Sequence, residues 1–432
     1  MSHRSISYDA AVVGAGAAGI AAARILGEAG LRTVLVEARD RVGGRAHTAQ
    51  AAAPGQSPPL ALDLGCEWLH SGDLNPLVGV AGELGLAIDR SRPDWGSHVG
   101  GGMGAAELRD FHAAADRFWD AAERDVRRGG PDRPAAGLLE PGCRWNPLID
   151  AISTYYNGIE LAEVSVADLG RYRDTHVNWR VAEGYGTLFE RAARGLDMVL
   201  GCRVSVIDHG ARDIRLETDR GTIRASAVVV TLPTNVLASG AVAFRPGLPD
   251  KVEAAAALPL GYANKLWFAL PPDASLPSGH LYGTADRVGT ISFDLRPRGR
   301  PLVEGYLGGS FARDLEREGE RGFEAAAREQ LGAMLGHDAP KRLTFLRATA
   351  WASDPFSLGA YSHARPGLAD RRATLAEPVD GRLFFAGEAC SRHSFSTAHG
   401  AWETGEAAAS ALLAEARGAR AEPSAHGAVA FR

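Results

Sequence analysis

Read for hydrophobic and polar periodicity, the chain divides unevenly. "DAAVVGAGAAGIAAARILGEAGLRTVLVEARDRVGGR" gives an apolar strand over Ala10 to Val13, a small-residue helix over Ala17 to Glu28 closed by Gly30, and a second strand over Leu31 to Glu37. From about residue 73 to 180 the pattern is mixed and helical, as in "AELRDFHAAADRFWDAAERDV", and no chemistry is recognisable there. "GYGTLFERAA" is a glycine turn followed by a helix. "VLGCRVSVIDHGARDIRLETDRGTIRASAVVVTLP" alternates around Gly and Asp turns, which predicts a β-meander ending in the buried strand Ala227 to Pro233. "LGYANKLWFAL" is a further strand. Near the far end, "LFFAGE" predicts a strand and a glycine turn, followed by a helix starting near Thr397. No internal repeat is present, and the Ala/Gly/Arg/Pro-rich tail from about Glu415 is expected to fray.

Composition narrows the class. A chain of 432 residues with 45% hydrophobic and 23% charged residues is a soluble globular type of two domains. A net charge of -5 argues against a broad nucleic-acid or anionic-membrane surface. Cys66, Cys143, Cys202 and Cys390 are scattered without CxxC, so they are read as reduced thiols of a cytoplasmic protein, and no metal is expected. No apolar run suits a signal peptide or a transmembrane helix.

The chemistry begins at Gly14, Gly16 and Gly19, a G-x-G-x-x-G between strand and helix. Those glycines allow a tight turn, close approach to a pyrophosphate and close helix packing, and the helix N-terminus favours the anion. Glu37 ends the second strand, where a carboxylate accepts both ribose hydroxyls. Gly43 and Gly44 let the backbone fold back over a diphosphate that Arg45 can neutralise.

With "EARDRVGGR", the opening resembles the flavoprotein amine oxidases, whose fingerprint is shared with some desaturases and protoporphyrinogen oxidase, and "STAHGA" near the far end resembles spermine and polyamine oxidases and the histone lysine demethylases of the same fold. The resemblance spans about residues 8 to 412 and implies FAD rather than NAD. It implies an α/β fold: a discontinuous Rossmann-like FAD-binding domain (1–72, 183–258 and 377–414) and an α+β substrate-binding domain (73–182 helical, 259–376 sheet), with 415–432 a flexible tail.

It also assigns residues. Ala18, Ala38 and Arg39 join the dinucleotide site; Leu64, Gly65, Glu67 and Trp68 run along the cofactor, Glu67 either touching flavin or capping a turn. The Val204 backbone meets the adenine, Pro233 lies beside the diphosphate, and Trp351 packs on the isoalloxazine. Gly387 and Glu388 serve the ribityl–diphosphate region, and the helix beginning at Thr397 and Ala398 faces the flavin N1/O2 edge. His70 lines the catalytic tunnel, with a surface histidine as the plain alternative. Lys265 holds a water at flavin N5, unless it is an edge-strand lysine facing solvent. Tyr361 is one wall of an aromatic cage.

Two departures from the monoamine oxidases stand out: Ala360 replaces the cysteine that bonds flavin, implying non-covalent FAD, and Thr397 replaces the second cage tyrosine, tilting the substrate towards polyamine-like amines. The implied reaction is hydride transfer from an amine α-carbon to flavin N5, imine hydrolysis to an aldehyde, and reduction of O2 to hydrogen peroxide. Its partners are a small amine and O2, with no nucleic acid or membrane, in a monomer or homodimer. Alternatives are an L-amino-acid oxidase clamping a carboxylate with Arg171, Arg173 or Arg180, an amine dehydrogenase with another acceptor, a desaturase-type enzyme, or a non-catalytic scaffold.

Overall fold

The computed structural model describes residues 7–53, 55, 57–93, 95, 103–271, 274 and 276–421. Strand Ser7–Val13 lies at the centre of an eight-stranded sheet, parallel to Thr33–Val36 on one side and Gly221–Val230 on the other. Met198–Val199 extends it beyond Thr33–Val36. The antiparallel meander Ile214–Thr218 and Val204–Asp208 extends it the other way, with Ala243–Arg245 at the edge. Leu383–Phe385 pairs in parallel with the end of Gly221–Val230. The first strand is buried on both faces, which is why it reads as an uninterrupted apolar run. Ala10 and Val12 enter one core with the helices Ala17–Glu28 and Ala398–Ala421; Ala11 and Val13 enter another with Leu237, Leu258 and Leu375. The two helices pack at backbone range. A Cβ placed on Gly405 would sit 2.2 Å from the carbonyl oxygen of Ala18.

A second, antiparallel sheet runs in the order Gly279–Leu281, Ser292–Leu295, Leu302–Gly308, Ala263–Ala269, Thr344–Ala348. Its two faces differ in kind, as period-two alternation requires. One face carries Leu266, Phe268, Leu281, Phe293, Leu295, Val303 and Leu307 and packs on Ala312, Leu315, Phe323 and Leu331 of the helices Gly309–Glu318 and Glu320–Leu335. The other face is polar. Lys265 lies opposite Tyr306, and Tyr306 opposite Ser292; Glu304 lies between Trp267 and Asp294, and Asp294 opposite His280. The helices Ala105–Arg128 and Asn146–Asn157 pack through Phe111, Phe118, Trp145 and Leu148.

Three local expectations change. The second strand is Thr33–Val36, shorter than Leu31 to Glu37, because Glu37 turns its carboxylate back to the backbone of Ala15 and Arg39. The strand ahead of Pro233 stops at Val230, and Pro233 instead precedes the helix Thr234–Ala238, where its fixed φ and missing N–H cost nothing. The last helix runs past Glu415 to Ala421, as its alanine, glutamate and arginine content favours; the rest of the tail, and residues 1–6, lie outside the described residues. Among the described residues no helix is long and apolar enough to cross a membrane. All four cysteines are free.

Candidate functional site

One cavity of 570 Å³ starts at the carboxyl ends of the parallel strands and continues over the polar face of the second sheet. At its nucleotide end, Gly14 adopts φ 103, a left-handed conformation that favours glycine. Gly19 is not on the cavity wall; a Cβ there would lie 1.8 Å from the Gly14 oxygen, so its role is to let the helix close on the turn. Helix Ala17–Glu28 has neither a side-chain cap nor an acidic residue in its first turn, leaving its N–H groups for an anion. Glu37 is buried and accepts from Ala15 N at 2.7 Å and Arg39 N at 2.9 Å. Arg39 binds Asp354 Oδ1 at 2.6 Å. A glycine turn, a bare helix N-terminus and a carboxylate at the adjacent strand end fit the diphosphate and ribose of a dinucleotide.

The second glycine turn meets the first here. Glu388 accepts from Arg45 Nη1 at 3.0 Å, the Ser362 hydroxyl at 2.6 Å and Ser396 N at 2.9 Å. Burial opposes its ionisation, but Arg45 and these donors hold its carboxyl below the usual range. Thr397 caps the last helix, its hydroxyl accepting from Gly400 N at 3.0 Å. Trp351 donates its indole N–H to the Leu64 carbonyl at 3.0 Å.

On the sheet side, Lys265 is buried in a strand with neighbours on both sides, so the edge-strand alternative is excluded. Its Nζ lies 2.6 Å from Glu67 Oε2 and 3.0 Å from Glu304 Oε1. Burial would pull the ammonium down, but Glu304 and Glu67 hold it well above its ordinary value. Glu67 neither caps a turn nor stands free; its other oxygen accepts from Arg180 Nε at 2.9 Å. His70 is turned to the cavity rather than standing as a surface histidine, with Nδ1 2.7 Å from Asn178 Oδ1, and burial lowers its pKa. The Tyr361 hydroxyl bonds Tyr306 at 2.9 Å and donates to the Tyr155 carbonyl.

Every site residue expected from the sequence except Gly19 lines this cavity. The sequence reading missed Tyr155, Tyr156, His280, Asp294, Glu304 and Tyr306, which share the wall. The region read as lacking chemistry is thereby corrected, since Phe111, Trp119, Tyr155 and Tyr156 come from two of its helices. The sheet residues had a signal: "HLY", "SFD" and "EGY" each place polar groups two apart within apolar runs, marking one face. Tyr155 and Tyr156 had none. Of the three arginines proposed to clamp a carboxylate, Arg171 pairs with Asp370 and Arg180 with Glu67.

The chain matches the family of flavin containing amine oxidoreductases over residues 17–157 and 137–413. It is 29% identical to polyamine oxidase 4 of Oryza sativa subsp. japonica, covering 92% of this chain and 87% of that one. It is 30% identical to lysine-specific histone demethylase 1 homolog 3 of Oryza sativa subsp. japonica over 95% of this chain and 55% of that one. In fold it resembles a putrescine oxidase redesigned in cofactor binding, with TM-score 0.76, 20% identity and coverage of 95% and 100% of the two chains. It also resembles the cyclohexylamine oxidase of Brevibacterium oxydans IH-35A, with TM-score 0.74, 22% identity and coverage of 95% and 99%. The chain belongs to the flavin-containing amine oxidoreductases, and it is an amine-oxidising enzyme whose cofactor is FAD.

Proposed function

We propose that the protein oxidises a C–N bond of a polyamine-like amine, giving an aldehyde and, with O2 as the acceptor, hydrogen peroxide. The observation that carries this reading is the junction of the cavity. The buried ammonium of Lys265 and the phenols of Tyr306 and Tyr361 open onto the space that reaches the Gly14 turn.

The residues that would hold FAD line that space. The Gly14–Gly16 turn, Ala18, Gly43, Gly44 and Arg45 would take the diphosphate, Glu37 the ribose and Val204 the adenine side. Leu64, Gly65, Trp68 and Trp351 would bound the ring system, with Glu388 and the start of the last helix at Thr397 and Ala398 completing it. Bound FAD supplies the two-electron acceptor for the amine carbon and the electrons that reduce oxygen.

The protein's own part is to bind and orient a neutral amine. Aromatic faces attract the cationic form on entry and shape the slot in which the α-carbon is presented. The His70 imidazole, kept neutral by burial, can accept the proton that the ammonium must lose. Lys265 places fixed positive charge where negative charge gathers during turnover. Arg180 is buried against Glu67 and is not on the cavity wall, which disfavours a carboxylate clamp and hence an amino-acid substrate.

Ala360 lines the cavity without a nucleophile, and burial pushes the Cys66 thiol up to about 11, keeping it protonated; both support non-covalent FAD. The test is a peroxide assay across polyamines, monoamines and amino acids. Peroxide with polyamines is expected. Peroxide only with amino acids, or flavin bleaching by amines without peroxide in air, contradicts the reading.

A further inference from the structure

Glu67, Lys265 and Glu304 reach the cavity wall from a loop and two strands far apart in sequence. Lys265 is held between the two carboxyl groups at 2.6 and 3.0 Å, and Arg180 holds the far oxygen of Glu67 at 2.9 Å while its guanidinium lies over the Trp68 ring at 3.5 Å. All four charged side chains are under a tenth exposed. Both carboxyl groups bear on the same ammonium nitrogen, which brings two buried carboxyls side by side. Ionised carboxylates are acceptors only and repel each other, so a bond between the two requires one of them to carry a proton.

We propose that Glu67 and Glu304 share one retained proton and act as a pair of positioning residues that fix the Lys265 ammonium at the cavity.

The proton sits on Glu304. Glu67 faces two cations, Lys265 and Arg180, whereas Glu304 touches one and stands directly across the sheet from Asp294. A like-charged pair in that register is unfavourable. Asp294 is itself paired with His280 at 2.7 Å. The remaining charges around the cluster are Arg300, which favours ionisation of Glu304, Arg298, which favours that of Glu67, and Asp63, which opposes that of Glu67 and is itself raised to about 6 by its burial. Burial first, and Glu67 second, raise Glu304 to about 7.

The consequence has a definite sign. Below about pH 7 the four groups carry one net positive charge; as pH rises through that value Glu304 ionises and the cluster becomes neutral. On the reading that Lys265 assists electron transfer to oxygen, the rate of reoxidation should fall across the same interval.

The test uses the FAD-bound enzyme and the infrared carbonyl band of a protonated buried carboxyl. The wild-type spectrum should hold a band that is lost between about pH 6 and 8.5, and the component titrating near pH 7 should be missing from Glu304→Gln, where only the lower-titrating carboxyl of Asp63 remains. Glu67→Gln removes the like charge and should shift the titration of the band to lower pH. Reoxidation by oxygen should lose its dependence on pH near neutrality in Glu304→Gln. A component titrating near pH 7 that persists in Glu304→Gln, or wild-type enzyme without that component, overturns the proposal. The wild-type titration alone decides the matter should a variant fail to fold. Because the band needs no turnover, an enzyme that oxidises no amine but shows it would refute the proposed function and leave the shared proton standing.

Discussion

Replacing Arg372 with Met should uncouple the second glycine turn from the loop that carries Tyr361. Arg372 is 1% exposed and binds Asp168 with two bonds of 2.7 Å. The same guanidinium donates to the Ser362 hydroxyl at 2.9 Å and the Ala389 carbonyl at 3.2 Å, and it lies 3.9 Å from the Phe395 ring centre. It therefore joins the helix Val166–Arg171 to the neighbours of Tyr361 and Glu388. Met fills much of the space but leaves Asp168 buried without a cation. Losing one partner of a buried pair costs about 3–5 kcal/mol. The other route, holding an ordinary aspartic acid neutral about three pH units above where it normally releases its proton, costs near 4 kcal/mol at ~1.4 kcal/mol per unit. The two estimates agree, and the loss is a large part of a typical stability of about 5–15 kcal/mol.

The variant binds a proton that its unfolded chain releases, so its deficit grows with pH. Urea unfolding of wild type and variant should show the deficit shrinking by about 2–3 kcal/mol between about pH 7 and pH 5. Adding Asp168→Asn, which keeps the acceptor for Ala364 N, should recover at least half of the loss. A deficit below about 1 kcal/mol, or one that does not change with pH, would refute the reasoning.

Other outcomes follow from single contacts. Glu37→Ala should purify without bound FAD; a yellow, fully loaded variant, read by its flavin absorbance, contradicts the assignment. Gly19→Ala places a methyl 1.8 Å from the Gly14 oxygen, so the turn must open, with a loss of about 1–3 kcal/mol in thermal or urea unfolding and weaker FAD retention. His363 is lowered to about 4, first by burial, and its Nδ1 has no partner. As the unfolded chain protonates it first, wild-type stability should fall as pH drops below about 6.5, by up to ~2 kcal/mol at pH 5, and His363→Leu should flatten that part of the curve. Acid precipitation of the holoenzyme should release all flavin into the supernatant; flavin retained on the pellet would contradict non-covalent binding.

What was legible in the sequence follows from what is local. The bounds of helix Ala17–Glu28 could be read because its turn, small residues and closing glycine are contiguous. The strand holding Lys265 could be read as buried, but not its partners: Glu304 and Glu67 are set by strand order, and Arg180 lies 113 residues from Glu67. Thr397 suggested a half-open aromatic cage; the structure sets Tyr306 and Tyr155 beside Tyr361, and of the two only Tyr306 carries a local signal, the period-two polar spacing of its strand. The clamp around Arg372 was invisible for the same reason, since it joins residues that meet only after both sheets have formed.

The central claim is that Lys265 supplies charge to the redox step without being needed to hold FAD. Stopped-flow mixing of Lys265→Met, loaded with FAD, against a substrate amine without oxygen and then against oxygen measures both half-reactions. The account predicts a fully loaded variant in which reduction or reoxidation is strongly slowed. Both traces at wild-type speed would contradict it.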